Sequence, residues 1–372
     1  MLYAVEKTGL RDRFFYEIFP TMTSHPFSSS AAFKQAFVSG LSELLHGGRL
    51  GQFILVCANA SFDPAVHAAT AKELGKLHAE LRVRFQADLE GGRNIAEVEE
   101  DLLVFLKILA IGLEHLKPTE TRQAGPWEVQ FNHLRSFRPK RITTRVPSGI
   151  YLPFDEAAFH FNKGFMQQEA FWAGELAGRR ATLYYNKYPF VDSHCLLVPE
   201  REARLPQFLY VESHDYLWEA TKQLGETLDG VGFGYNSVGA FASVNHLHFQ
   251  MFLKPAGFPV MAPQWRHNGG SAAYPVACAA FDDRQAAWNA IEQLHALETP
   301  YNLLYVPGRL YVFPRAKQST YAQPEWTSGF TWHELAGGII AFNREDFERL
   351  DDAAVRLALT GLAVGSLPAD YS

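Results

Sequence analysis

Apolar residues recur every third or fourth position over the first ~120 residues, and every second position in short runs beyond about residue 150. This change of period is the strongest limit on the fold. Asp63 and Pro64 make a good helix start, with Asp as N-cap and Pro at the first position, where its missing N–H costs nothing. The spacing predicts a helix from there to about Phe85 and a turn at Glu90 to Asn94, centred on Gly91 and Gly92. A second helix is predicted from Ile95 to Leu116, stopping before Pro118, with Val98, Leu102, Phe105, Leu109 and Leu113 as its buried stripe. Pro118 to Pro126 reads as a linker.

Strands are predicted at Thr182 to Tyr185, His194 to Val198, Val231 to Tyr235 and Asn245 to Leu253. Asn302 to Val306 and Leu310 to Phe313 flank Pro307-Gly308 and read as a hairpin. Between them, Ser213 can cap a helix running through Leu217, Ala220, Leu224 and Leu228 to Gly230. Helices first and adjacent strands later imply an α+β fold with an antiparallel sheet and flanking helices. The expected division is a helical N-terminal region at 1–125, a core at 126–345 and a tail at 346–372.

Composition removes several functional classes. The net charge is −6, which makes the chain a poor general binder of nucleic acid, whose phosphates call for a basic face. No stretch approaches ~18 uncharged apolar residues, so no membrane span is expected. The early charges Glu6, Lys7, Arg11, Asp12 and Arg13 argue against a signal peptide. Cys57, Cys195 and Cys278 form no CxxC pair and read as reduced thiols of a cytoplasmic protein. Against the acidic background, Arg135, Arg138, Lys140, Arg141 and Arg145 put five cations into eleven residues. They are either a solvated face or a cationic arm over a phosphate ligand.

The segment Asn245-His246-Leu247-His248-Phe249-Gln250 carries the chemistry. As a strand, it places His246, His248, Gln250 and Phe252 on one face and Leu247, Phe249, Met251 and Leu253 on the other, apolar one. A neutral imidazole can attack an α-phosphate and hold the nucleotidyl group as a phosphoramidate, provided its second nitrogen keeps the proton. Gln250 can donate an amide N–H to a phosphate oxygen but cannot protonate a leaving group. Two other readings stay open: satisfied polar residues, or a metal site built from His246, His248 and His194. No Asp or Glu lies within the strand to complete such a site. Gly232 and Gly234 open a GxGxxxxG spacing with no helix pattern after it, which is not a dinucleotide loop.

Ser237 to Gln250 resembles the signature of the GDP-hexose phosphorylases, in the HxHxQ branch of the histidine-triad superfamily. Asn186-Lys187-Tyr188-Pro189 with His194 to Pro199 resembles the paired-strand segment of that superfamily, and Gln130 to Arg141 resembles the basic segment ahead of its core. The resemblance implies a histidine-triad-like sheet core and a covalent nucleotidyl-histidine on His248, with His246 positioning the phosphate or the His248 ring. It implies that Gln250 donates to the α-phosphate and that Ser243, Asn245 and Asn186 lie near the nucleotide. Lys187, Arg135, Arg138 and Lys140 become candidate partners of the second phosphate or of inorganic phosphate. The implied substrates are a nucleotide sugar, GDP-hexose first, and inorganic phosphate, giving nucleoside diphosphate and hexose 1-phosphate. Dinucleoside polyphosphate phosphorolysis and non-catalytic nucleotide binding are the alternatives. The CxxC pair of the uridylyltransferase relatives is missing, so no structural zinc and no cofactor is expected, with Mg2+ on the substrate phosphates left open. A homodimer is likewise left open.

Overall fold

A computed structural model describes residues 25–139 and 148–364. Four helices open the described chain: α1 Ser30–Leu44, α2 Leu50–Phe62, α3 Pro64–Glu90 and α4 Glu99–Ile111. Asp63 caps α3 by accepting from Ala65 N–H at 2.8 Å, with Pro64 at the first position as the sequence implied. The stripe of α4 differs from expectation. Val104, Phe105 and Ile108 are buried against α2, whereas Val98 is 64% exposed and Leu109 lies at the surface. Apolar residues surround this helix on several sides, so packing and not periodicity selects the buried face.

The stretch read as a linker is instead a strand. β1 Glu120–Ala124 turns through Gly125 and pairs antiparallel with β2 Trp127–Phe131, and β2 pairs parallel with β11 Gly338–Ala341. A short helix α5, His133–Phe137, follows β2 and is capped by Asn132. The main sheet has eight strands in the order β3-β4-β5-β7-β6-β9-β10-β8, all antiparallel. They are β3 Ala170–Leu176, β4 Arg179–Tyr185, β5 Cys195–Pro199, β6 Val231–Asn236, β7 Phe249–Leu253, β8 Ala279–Phe281, β9 Tyr301–Val306 and β10 Arg309–Pro314. Helix α6 spans Val211–Gly225, starting two residues before Ser213 and ending before Gly230, and α7 spans Arg284–Ala296. The short α8 Trp332–Leu335 precedes β11, and α9 Arg344–Arg349 and α10 Asp352–Thr360 follow it. The α+β arrangement is the one expected.

Alternation along the strands gives the sheet two faces. Phe249, Met251, Phe233, Tyr235, Leu303 and Val312 point into one continuous core that also takes in α1 to α4. The helical region before residue 125 therefore shares its core with the sheet. The opposite face carries two separate apolar clusters. One joins Phe161, Tyr184 and Val198 at the β4–β5 side. The other joins Phe252, Leu304 and Phe313 to Trp332, the small sheet and α10, where Val355 and Leu359 are buried. Between them lies a polar strip, and the candidate site occupies it.

Candidate active site

Strand β7 begins at Phe249, so His246 and His248 sit in the segment leading into it and not within it. The backbone there is satisfied by a side chain instead of a neighbouring strand. Gln207 Oε1 accepts from His248 N–H at 2.9 Å, and Gln207 Nε2 donates to the carbonyls of His248 and Asn236 at 3.2 and 3.1 Å. Leu247 N–H donates to Leu205 C=O at 2.8 Å. Buried N–H and C=O groups must find partners, and this clamp supplies them where the ladder does not reach.

The His248 ring is held in one tautomer. Its Nδ1 lies 2.8 Å from the His246 carbonyl, which can only accept, so the proton is on Nδ1 and the lone pair on Nε2. Among the described residues Nε2 has no hydrogen-bond partner, and it is not among the side-chain nitrogens sealed from solvent. His248 is 6% exposed, and its ring leans on Phe161, with centroids 5.3 Å apart. Burial pulls this imidazole from 6.5 down to about 4, so it is neutral at physiological pH.

His246 has no nitrogen to spare. Nδ1 accepts from Phe161 N–H at 3.2 Å, and the ring also hydrogen-bonds the backbone of Arg201. Burial, then the neighbouring His248, lowers it to about 4. The contact of His246 with the His248 ring runs through the His246 carbonyl.

Gln250 lies on the polar strip, opposite Leu196 on β5 and Gly234 on β6. Its Oε1 receives the Trp332 indole N–H at 3.0 Å and lies 3.2 Å from His194 Nε2. His194 Nδ1 accepts from Phe190 N–H at 3.4 Å, which places the His194 proton on Nε2, facing Gln250. Asn186 Nδ2 also lies 3.2 Å from that nitrogen, but a protonated Nε2 cannot accept from it. Asn186 Oδ1 takes Tyr188 N–H at 3.0 Å, so Asn186 shapes the loop beside His194. Burial, reinforced by Arg135, lowers His194 to about 3.

The remaining candidates separate. Ser243 is exposed. Asn245 acts as a staple: Oδ1 accepts from Gln207 N–H at 3.0 Å, and Nδ2 donates to the Leu152 and Pro153 carbonyls. Lys187 binds both oxygens of buried Asp101 at 2.6 and 2.7 Å, tying its loop to α4. Arg138 pairs with Glu100 at 2.7 Å and lies over the Tyr188 ring. Arg135 donates to Tyr188 C=O at 2.8 Å and stacks on Phe190, close enough to His194 to perturb it. The described cations thus brace the 186–190 loop, and Arg135 acts electrostatically on His194. Lys140 lies outside the described residues. Among the described residues no three His, Cys, Asp or Glu side chains group to hold a metal ion, and no helix is long and apolar enough to cross a membrane.

Sequence reasoning did not single out Gln207, Phe161 or Trp332. Each reaches the motif from far along the chain, and no local pattern marks them. The one available signal was Gly232-x-Gly234. A Cβ at Gly234 would meet the Trp332 ring at 2.1 Å, and one at Gly232 would meet Phe252 at 2.4 Å. These glycines clear the strip for aromatic rings.

A family model described as "GDPGP1-like, N-terminal domain" matches residues 127–252. GDP-D-glucose phosphorylase 1 of Danio rerio is 38% identical over 96 residues, covering 26% of this chain and 27% of that protein. GDP-L-galactose phosphorylase 1 of Arabidopsis thaliana is 30% identical over 147 residues, covering 35% of this chain and 32% of that protein. The chain therefore matches about a third or less of the length of these curated relatives. Among solved structures, yeast Ap4A phosphorylase Apa2 in complex with Ap4A aligns over 73% of this chain and 100% of its own, with a TM-score of 0.46 and 17% identity, too distant to bear on function. The family model and the curated relatives support the resemblance to GDP-hexose phosphorylases.

Proposed function

We propose that this chain is a nucleotidyltransferase that cleaves a nucleoside diphosphate hexose, GDP-hexose first, with inorganic phosphate. The observation that carries the reading is the His248 imidazole, pinned at Nδ1 by the His246 carbonyl, with Nε2 unpartnered among the described residues and not sealed from solvent. Its lone pair is available without removal of a proton. Nε2 attacks the α-phosphorus, the bond from that phosphorus to the bridging oxygen breaks, and hexose 1-phosphate leaves. The ring becomes more positive as the N–P bond forms, and the His246 carbonyl, holding Nδ1–H, stabilises that charge. Gln250 Nε2 donates to a non-bridging α-oxygen. Inorganic phosphate then attacks the same phosphorus, the N–P bond breaks, and nucleoside diphosphate is released.

A glutamine suits this leaving group. A phosphate monoester departs as a dianion stable near neutral pH, its second proton having a pKa of ~6, so no general acid is needed at that position. The scheme uses no protein-held metal, and a divalent cation would enter on the substrate phosphates. The test is a panel of nucleotide sugars and dinucleoside polyphosphates carrying label on the α-phosphate, quenched before phosphate is added. Label retained on denatured wild-type protein and absent from His248→Ala is expected. Failure of every substrate to label the wild type removes the reading.

A further inference from the structure

We propose that Trp332 is a positioning residue that fixes the Gln250 side-chain amide with its NH2 group toward the substrate phosphate. This rests on the nucleotidyl-transfer reading above. An amide can flip, and at Gln250 a flip would exchange two donors for an acceptor facing an anion. An indole N–H can only donate. The atom 3.0 Å from Trp332 Nε1 must therefore be the amide oxygen, which settles which branch of Gln250 is held and which is free. The free nitrogen has no hydrogen-bond partner among the described residues and is not sealed from solvent.

Trp332 is well placed to impose this orientation because its own position is over-determined. It is 0% exposed. Its backbone N–H donates to Asn236 Oδ1 at 2.9 Å. The ring stacks on Phe252 with centroids 5.2 Å apart at 14° and meets Phe258 edge-on at 5.5 Å. Gly234, directly across from Gln250 on β6, leaves the space in which the indole lies. His194 Nε2–H supplies a second donor to the same oxygen at 3.2 Å, filling its other lone pair. A flipped amide would lose both bonds and set N–H groups against N–H groups.

His248 and Gln250 face the same side. Phe161, which touches the His248 ring, belongs to the cluster on the face that carries Gln250. The amide donors are thus fixed before substrate arrives, and a donor already in place needs no reorganisation when charge develops on the α-phosphate.

The experiment is a double-mutant cycle between Trp332→Phe and Gln250→Leu, read as the single-turnover rate of nucleotidyl-enzyme formation. Trp332→Phe alone should slow that step by about ten-fold, the effect of losing one oriented hydrogen bond, with little change in substrate affinity. In the Gln250→Leu background the same change should slow it no further, because Trp332 acts through Gln250. An unchanged rate in a folded Trp332→Phe enzyme, or an equal loss in both backgrounds, overturns the proposal. If phenylalanine leaves the protein unfolded, β-(3-benzothienyl)alanine at position 332 keeps the indole shape without its N–H. A second readout needs no turnover: the Gln250 side-chain amide resonance, identified by its loss in Gln250→Leu. Removal of the indole N–H should shift or broaden it, and an unmoved resonance overturns the proposal. Absence of label on the wild-type enzyme would instead strike the nucleotidyl-transfer reading, leaving the amide resonance to decide the role of Trp332.

Discussion

The buried environment of His248 makes a quantitative prediction about acid. Burial lowers this imidazole from 6.5 to about 4, a shift worth roughly 3 kcal/mol against the charged form. At about pH 5, an imidazole with a pKa of ~4 is roughly 90% neutral, whereas one at its ordinary value is only ~3% neutral. Nucleophilic attack needs the neutral ring. Formation of the covalent enzyme should therefore be nearly flat from about pH 8 to pH 5 and fall with a midpoint near 4. The assay is rapid quench with α-labelled nucleotide sugar and no inorganic phosphate, because phosphate itself titrates in this range and the substrate diphosphate diester does not. Phe161, fully buried against the His248 ring, is the lever. Phe161→Leu lets water approach and should move the midpoint upward, so that the variant loses more at about pH 5 than at pH 8. At the limit of full exposure the loss at about pH 5 would be roughly thirty-fold. A wild-type midpoint near 6.5, or a Phe161→Leu profile unmoved from the wild type, would refute the burial argument.

Three further predictions follow from the packing. His248, His246 and His194 all bind a proton more weakly folded than unfolded. Their contribution to stability should be full above their ordinary 6.5 and be lost as pH falls to about 4 and then about 3, by up to ~3 kcal/mol each for His248 and His246 and ~5 kcal/mol for His194. Urea midpoints measured across that window should drop, and a constant midpoint would contradict it. Gln207→Leu strips partners from both backbone groups of His248 and from the Asn236 carbonyl. It should destabilise by about 2–4 kcal/mol in chemical denaturation, and a loss well under 1 kcal/mol would show that the clamp is dispensable. Lys187→Met leaves Asp101 buried without its cation, so it should cost roughly 3 kcal/mol while barely changing nucleotide affinity. A large affinity loss with intact stability would return Lys187 to the phosphate.

The sequence was most legible where a side chain's role follows from its neighbours in the chain. The Asp63-Pro64 cap, the hairpin at Pro307-Gly308 and the two faces of β7 all follow from local spacing. The demand that one His248 nitrogen keep its proton also followed from chemistry alone, and the His246 carbonyl is what holds it. What escaped depends on distant partners. Residues 245–248 continue the alternation of a strand, but Asn245 and His248 bond Gln207, 41 positions away from His248, and Leu247 bonds Leu205, so the segment leaves the sheet. The acceptors of Arg135 and Arg138, Tyr188 C=O and Glu100, lie elsewhere in the chain, so local spacing could not show that these cations brace the 186–190 loop. Trp332 meets Gln250 across 82 residues, and the cleared space at Gly234 has meaning only once those strands pair.

The most direct measurement is mass spectrometry of the enzyme quenched with a nucleotide sugar before phosphate is supplied. A nucleotidyl adduct on the peptide carrying His248, discharged when inorganic phosphate is added, is the expected result. Turnover with no adduct, or an adduct mapped to another residue, would show that the open nitrogen of His248 is not the attacking atom.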